Sequence, residues 1–372
     1  MPTSQPIPFR VDHVGSLLRP ASVKEARRKF YTDEPSISAE ELKAVEDAAI
    51  ADAIKMQEDL GLSVTTDGEY RRYFWHYDFM GMLTGFELDE RDEGIQFAGT
   101  QIPPLFPTIK GKLDFPHEHP MIEHFKFVAA NTNVTPKISI PGPSCCHFRT
   151  APEDILPPEY ADEEVLFADI AATYKKAVHA FYDAGCRYLQ MDDIYFAYLC
   201  DPKQQEAQRE LGRDPDKMLT QYAWMMNEAI KDRPDDMLIG MHMCRGNFRS
   251  TYAAEGAYDP AAEAIFSTDV DVFLMEYDNE RSGGLEPLRL LPKGKQRVMP
   301  GFVTTKTPEL ESMDYLKRKF DEAASFTDID QLGIAPQCGF SSTEHGNDVT
   351  FDDQRRKLEL IVGLSEEIWG SA

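Results

Sequence analysis

His242 and Cys244, two residues apart in Met241-His242-Met243-Cys244, offer an imidazole and a thiol that an extended strand turns to the same side. One metal ion can take both. Glu276 ends a later apolar run and Cys338 follows another. Together, one histidine, two cysteines and a carboxylate make a tetrahedral zinc set. An H-x-C pair alone is a weak signal, because buried cysteine often serves as a small core residue; the run-end positions of Glu276 and Cys338 strengthen it. Two thiolates and a carboxylate more than cancel the charge of the ion, so such a zinc is a poor generator of hydroxide. It suits binding a substrate thiol, deprotonating it and leaving the sulfur nucleophilic. The residue types point to thiol alkylation rather than hydrolysis.

Other run ends carry groups that suit an amino-acid substrate. Glu69 and Asp192 can pair with an ammonium group, and backbone N–H groups around Gly15-Ser16 can hold a carboxylate. The competing reading is structural: such acids also cap helices or bind arginines such as Arg71 and Arg72.

Residues so far apart need a scaffold that brings them together. Ser38-Ala39-Glu40-Glu41 reads as a capping box, followed by Leu42, Val45, Ala49, Ala53, Met56 and Leu60 at helical spacing and a stop at Gly61. An apolar run at 62–66 then ends in Asp67-Gly68-Glu69. The same order of helix, strand and polar tip recurs at 167–193 and 313–339. Strand candidates fall at 11–15, 62–66, 137–141, 187–191, 238–243, 271–276, 297–303 and 332–336. Eight short apolar strands with helical connections predict an α/β fold, a (β/α)8 TIM barrel, whose active site lies at the C-terminal ends of the strands. An open doubly wound sheet fits less well, because Val14-Gly15-Ser16-Leu17-Leu18-Arg19 is not GxGxxG.

No linker divides the chain, so 1–372 is expected to be one domain. Residues 76–135 carry aromatics, glycines and prolines, including Pro103-Pro104 and Pro107, with no sustained helical period. They are expected to form a lid or hairpin inserted after strand 2. Within that stretch, His117 and His119 read as a solvated loop. His13 and His147 read as structural histidines, and Cys145-Cys146 as packed thiols rather than a redox pair.

Of 372 residues, 42% are hydrophobic and 28% charged, and the net charge is −25. Such a surface repels nucleic acid and anionic membranes. No apolar run is long enough to span a bilayer, and MPTSQPIPFR lacks the order of a secretory signal. Six cysteines in a chain of this length are no disulfide scaffold; a cytoplasmic protein fits, and a homo-oligomer is compatible with it.

Seven stretches in order resemble the cobalamin-independent methionine synthases, in particular their catalytic C-terminal barrel and its short stand-alone homologues. They are VGSLLRP (14–20), TDGEYRR (66–72), LQMDD (189–193), HMCRGN (242–247), LMEYDNERSG (274–283), TTKTPELE (304–311) and APQCGFSSTE (335–344). The similarity runs from about residue 8 to residue 370. It implies a TIM barrel, zinc on His242, Cys244, Glu276 and Cys338, and homocysteine on Ser16, Glu69 and Asp192. The implied reaction is transfer of a methyl group to homocysteine to give methionine, as in a 5-methyltetrahydropteroyltriglutamate–homocysteine S-methyltransferase. Three departures bear on the donor. The additional N-terminal barrel of the long enzymes has no counterpart in the sequence. The position of the family's proton-donor histidine is Lys306, a residue that can supply a proton or bind an anion. The family's folate-side tryptophan is absent from Gly142-Pro143-Ser144-Cys145-Cys146-His147-Phe148. Methyltetrahydrofolate, a methylated corrinoid or another methyl compound remain candidate donors. Two rival readings are a zinc alkyltransferase that opens an epoxide with coenzyme M and a metal-dependent hydrolase on the same barrel.

Overall fold

The short apolar runs form parallel strands. The computed structural model describes residues 7–90, 96–97, 100–101 and 105–371, with backbone alone at 96–97 and 100–101; Pro103-Pro104 lie outside the described residues. Ile138–Pro141, Tyr188–Asp192, Leu238–Met243, Val272–Glu276 and Arg297–Gly301 build one parallel sheet in chain order. Every residue in these strands is buried, which is why they read as apolar runs rather than alternating ones.

The succession continues at both ends. Val64–Thr65 pairs in parallel with Thr135–Pro136, which leads into Ile138–Pro141. On the other side Val298 and Val303 bridge to Leu332 and Pro336, and Ile334 bridges to Val11. Between the first and second runs, Thr66 Oγ1 donates to the Gly15 carbonyl (2.7 Å) and Leu17 N donates to the Gly68 carbonyl (3.0 Å). The first, second and eighth runs are shorter as regular strands than expected. The turns at the ends of the first two take positive-φ backbone, with φ of 134° at Gly15, 64° at Gly68 and 61° at Glu69.

The helices begin where their caps predict. Ser38 and Glu41 close a capping box on Ala39–Asp59, and Asp162 and Ser312 cap Glu163–Asp183 and Met313–Ala324. Within 76–135, Thr84–Glu90 and Leu105–Asp114 form an antiparallel pair, followed by the helix Pro120–Asn131. Sequence reading found no sustained helical period there, yet Met121, Phe125 and Val128 are spaced four and three apart and are buried on one face of that helix. Phe86, Ile109 and Leu113 of the hairpin join the same main core. His119 corrects the solvated-loop expectation. It is buried, its Nδ1 accepts from Met121 N (3.3 Å), and its Nε2–H donates to the Phe79 carbonyl (3.1 Å), so it caps the helix as a neutral ring whose pKa burial lowers to about 4. Among the described residues no helix is long and apolar enough to cross a membrane.

Between the strands lies a fully buried charge network. Lys137 Nζ donates to Asp12 Oδ1 (2.7 Å), Gln190 Oε1 (2.8 Å) and the His13 carbonyl, while Tyr188 Oη donates to Asp12 Oδ2 (2.6 Å). Removing one member strands the other without a partner in a dry interior. Lys137→Met is expected to lower unfolding free energy by about 3–5 kcal/mol in urea titrations. Lys137→Met with Asp12→Asn should recover part of that loss, and equal losses for the single and double variants would count against charge stranding.

Candidate metal centre and substrate pocket

His242 and Cys244 sit at the C-terminal end of Leu238–Met243 and just beyond it, and Cys338 follows the segment that bridges to Val303. One ligand atom from each of the three lies within 4.8 Å of those of the others, and all three residues are buried. The two sulfurs are 3.7 Å apart. Zinc–sulfur bonds of about 2.3 Å at a tetrahedral angle require a sulfur–sulfur separation of roughly 3.8 Å. The histidine is oriented for the same purpose. Its Nδ1 lies 3.2 Å from the Leu274 carbonyl, which can only accept, so Nδ1 carries the hydrogen. Nε2 is left buried with no hydrogen-bond partner. An orphaned imidazole nitrogen facing two thiols at that spacing fits zinc.

The electrostatics agree. The Cys244 thiol and His242 beside it hold Cys338 well below the usual thiol range against the opposing effect of burial. Its neighbour Cys244 is pushed well above that range by Cys338 and by burial.

Glu276, the fourth expected ligand, is fully buried on the adjoining strand but lies outside that three-residue group. Its Oε1 faces Arg281 NH2 at 2.8 Å and Lys306 Nζ at 3.7 Å, and its Oε2 accepts from Arg245 N at 2.5 Å. Burial alone would raise its pKa; Lys306, Arg245 and Arg281 overcome that and keep it ionised. Lys306 is buried with its Nζ lacking a hydrogen-bond partner, and it is not part of the pocket wall.

Ser16, Glu69 and Asp192 line the same pocket as the three candidate ligands. Gly15 does not line it. Glu69 takes a left-handed backbone, rare for a residue with a side chain, at the end of the Asp67-Gly68-Glu69 turn. Its Oε1 accepts from Ser139 Oγ (2.8 Å) and faces Arg72 at 3.5 Å, while Oε2 has no partner. Burial raises its pKa despite Arg72. Asp192 Oδ1 accepts from Gln190 Nε2 (2.7 Å), and burial pushes its pKa up to about 7. The structural reading of these acids is thus realised in part: Arg72 does serve Glu69, whereas Arg71 pairs with Glu46 and Asp47.

The remaining wall was not anticipated. Phe74, Trp75, His76, Arg149, Tyr198 and Asn247 also line the pocket. Asn247 lies inside the motif HMCRGN, and Trp75 and His76 come three and four residues after TDGEYRR, so proximity to those motifs was the available signal. His13 and His147 are buried on Gln57 (2.8 Å) and Tyr222 (2.8 Å), as structural histidines are. Cys145 and Cys146 are buried free thiols.

Residues 9–355 match the family described as Cobalamin-independent synthase, Catalytic domain. The chain belongs to that family. The uncharacterized protein YxjH of Bacillus subtilis is 44% identical over 364 residues, which are 97% of this chain and 95% of that protein. Among solved members of the cobalamin-independent family, a putative vitamin-B12 independent methionine synthase from Listeria monocytogenes is 37% identical, with a TM-score of 0.78 over 99% of this chain and 100% of that one. A B12-independent methionine synthase from Shewanella sp. W3-18-1, in complex with selenomethionine, shares the fold at 19% identity, with a TM-score of 0.71 over 98% of each chain. The 5-methyltetrahydropteroyltriglutamate–homocysteine methyltransferase of Bacillus licheniformis is 25% identical over 333 residues, 89% of this chain but 40% of that longer enzyme.

The geometry predicts close to one zinc per chain by elemental analysis. Cys244→Ser and Cys338→Ser should each lose most of it, while Asp192→Asn, outside the ligand group, should keep it. Parental metal content in both cysteine variants would rule out this centre.

Proposed function

We propose that the chain is a zinc-dependent S-methyltransferase that moves a methyl group to the thiol of homocysteine, giving methionine. The observation that carries the reading is the shared pocket, which His242, Cys244 and Cys338 line together with Ser16, Glu69 and Asp192. We take the scaffold as a closed (β/α)8 barrel over 1–372 with 76–135 inserted after strand 2. The parallel succession that returns from Ile334 to Val11 supports that closure. We also place the protein in the cytoplasm, a reading supported by its free, buried cysteines.

Bound by His242, Cys244 and Cys338, with Glu276 as the expected fourth ligand, zinc would supply the positive charge that makes a substrate thiol acidic at neutral pH. The protein's own residues do the rest. Glu69, held by Ser139 and Arg72, and Asp192, held by Gln190, receive the ammonium group of the amino acid. Ser16 Oγ receives its carboxylate. Phe74, Trp75 and Phe248, which line the same pocket, exclude water from it. The substrate sulfur then attacks the methyl carbon in line, the S–C bond forming as the bond to the donor breaks. Lys306 belongs beside Glu276, whose negative charge it holds, rather than against the substrate.

The rival readings account for less of the pocket. Coenzyme M has no ammonium group for Glu69 and Asp192. A hydrolase gains nothing from paired thiolates, which make zinc less able to acidify bound water.

Homocysteine supplied with methyltetrahydrofolate (mono- or polyglutamyl) or methylcobalamin is expected to yield methionine. It should also add one sulfur to the zinc coordination seen by X-ray absorption. Asp192→Asn should raise the homocysteine KM by roughly 10- to 100-fold, the worth of a charged hydrogen bond. No methionine from any donor, together with unchanged zinc–sulfur coordination, would sink the assignment.

A further inference from the structure

Arg149 is a pocket-wall cation without a counter-ion. It follows the short helix Ser144–Phe148 and is partly buried. Its Nε donates to Tyr195 Oη at 2.6 Å, and among the described residues no carboxylate pairs with its guanidinium. Burial opposes its charge, but Tyr195, Tyr77, Tyr198 and Cys145 hold its pKa above the ordinary arginine value, so it stays charged.

Next to it lies His76, 1% exposed, with both ring nitrogens lacking a hydrogen-bond partner. Its ring is held between Trp75 (centroids 4.4 Å apart) and Tyr77 (3.9 Å). Burial and the nearby Arg149 keep it neutral, with one N–H free to donate. A buried ring with two orphaned nitrogens beside an unpaired guanidinium is costly unless something binds there. Arg149 and His76 line the same pocket as Cys244 and Cys338, and so does Tyr198, whose buried hydroxyl has no hydrogen-bond partner. The cation therefore shares one cavity with the candidate metal centre.

We infer that Arg149 and His76 form a subsite for an anionic group of the methyl donor, a carboxylate or a phosphate. The inference rests on the methyltransferase reading for the word donor. Charge separation assigns the group to the donor rather than the thiol. Glu69 and Asp192 make the acceptor's wall acidic, which suits an ammonium and repels a second anion, whereas Arg149 and the aromatic side chains beside it face a co-substrate. A folate carries its charge on glutamate carboxylates and a corrinoid on its nucleotide phosphate; the arginine fork accepts either.

The test is equilibrium binding to zinc-loaded protein, read from the fluorescence of Trp75 in a Trp224→Phe, Trp369→Phe background. Two probe pairs separate the sources: 5-methyltetrahydrofolate against 5-methyltetrahydropterin, which lacks the glutamate, and methylcobalamin against methylcobinamide, which lacks the phosphate. For one pair, Arg149→Gln is expected to weaken the charged member roughly 10- to 100-fold and leave the uncharged or phosphate-free member unchanged. Arg149→Lys should restore part of the difference, which a merely structural role would not produce, and thermal melts check that each variant folds. Unchanged discrimination in both pairs overturns the subsite, as does a loss confined to homocysteine affinity. Zinc content and homocysteine binding on the same samples report on the methyltransferase reading separately. If both hold while Arg149→Gln changes neither pair, only the subsite fails.

Discussion

The Leu274 carbonyl holds the His242 ring, and that contact exists because Leu274 and His242 are register partners in adjoining parallel strands. A slip of one residue would turn His242 and Cys244 away from the pocket together, since side chains alternate along a strand. Cys338 reaches the same point from the far end of the chain, on a segment positioned by single bridges rather than a full ladder. The ligand atoms thus depend on sheet register on one side and on irregular backbone on the other.

In this chain of net charge −25, several buried cations gather around buried acids. Glu276 has Arg245, Arg281 and Lys306; Glu69 has Arg72. Asp192 accepts a hydrogen bond from the Gln190 amide, itself joined to the Lys137–Asp12 network, and lies within electrostatic reach of His242 and Arg72. That difference is physical: Glu69 faces an arginine directly, while the hydrogen bond that holds Asp192 comes from a neutral amide, and burial raises its pKa.

Much of this was legible in the sequence, for identifiable reasons. The H-x-C pair follows from strand period, and the acids at 69 and 192 follow from the polar tips of apolar runs. Glu276 was placed correctly in the chain, but its engagement by Arg245 and Arg281 depends on how the following loops fold back, which no local pattern encodes. Arg149 and His76 were missed because each comes from an irregular connection, where spacing carries no direction. His119 was misjudged because capping by an imidazole has no strong composition signal, and the nearby prolines hid the four-and-three spacing that follows it.

The two halves of the pocket are also fastened to each other. A Cβ on Gly339 would lie 1.9 Å from Ser16 Oγ, so the segment just after Cys338 passes against Ser16 with no room for a side chain. Phe340 N donates to the Ser16 carbonyl at 2.9 Å, and Ser341 N reaches Ser16 Oγ at 3.4 Å. On its other flank, the loop bearing Ser16 is tied to the Glu69 turn, where Leu17 N donates to the Gly68 carbonyl. Cys338, Ser16 and Glu69 therefore share one interlocked set of loops, and the spacing of the Cys338 segment from Ser16 and from the left-handed Glu69 is set by backbone packing.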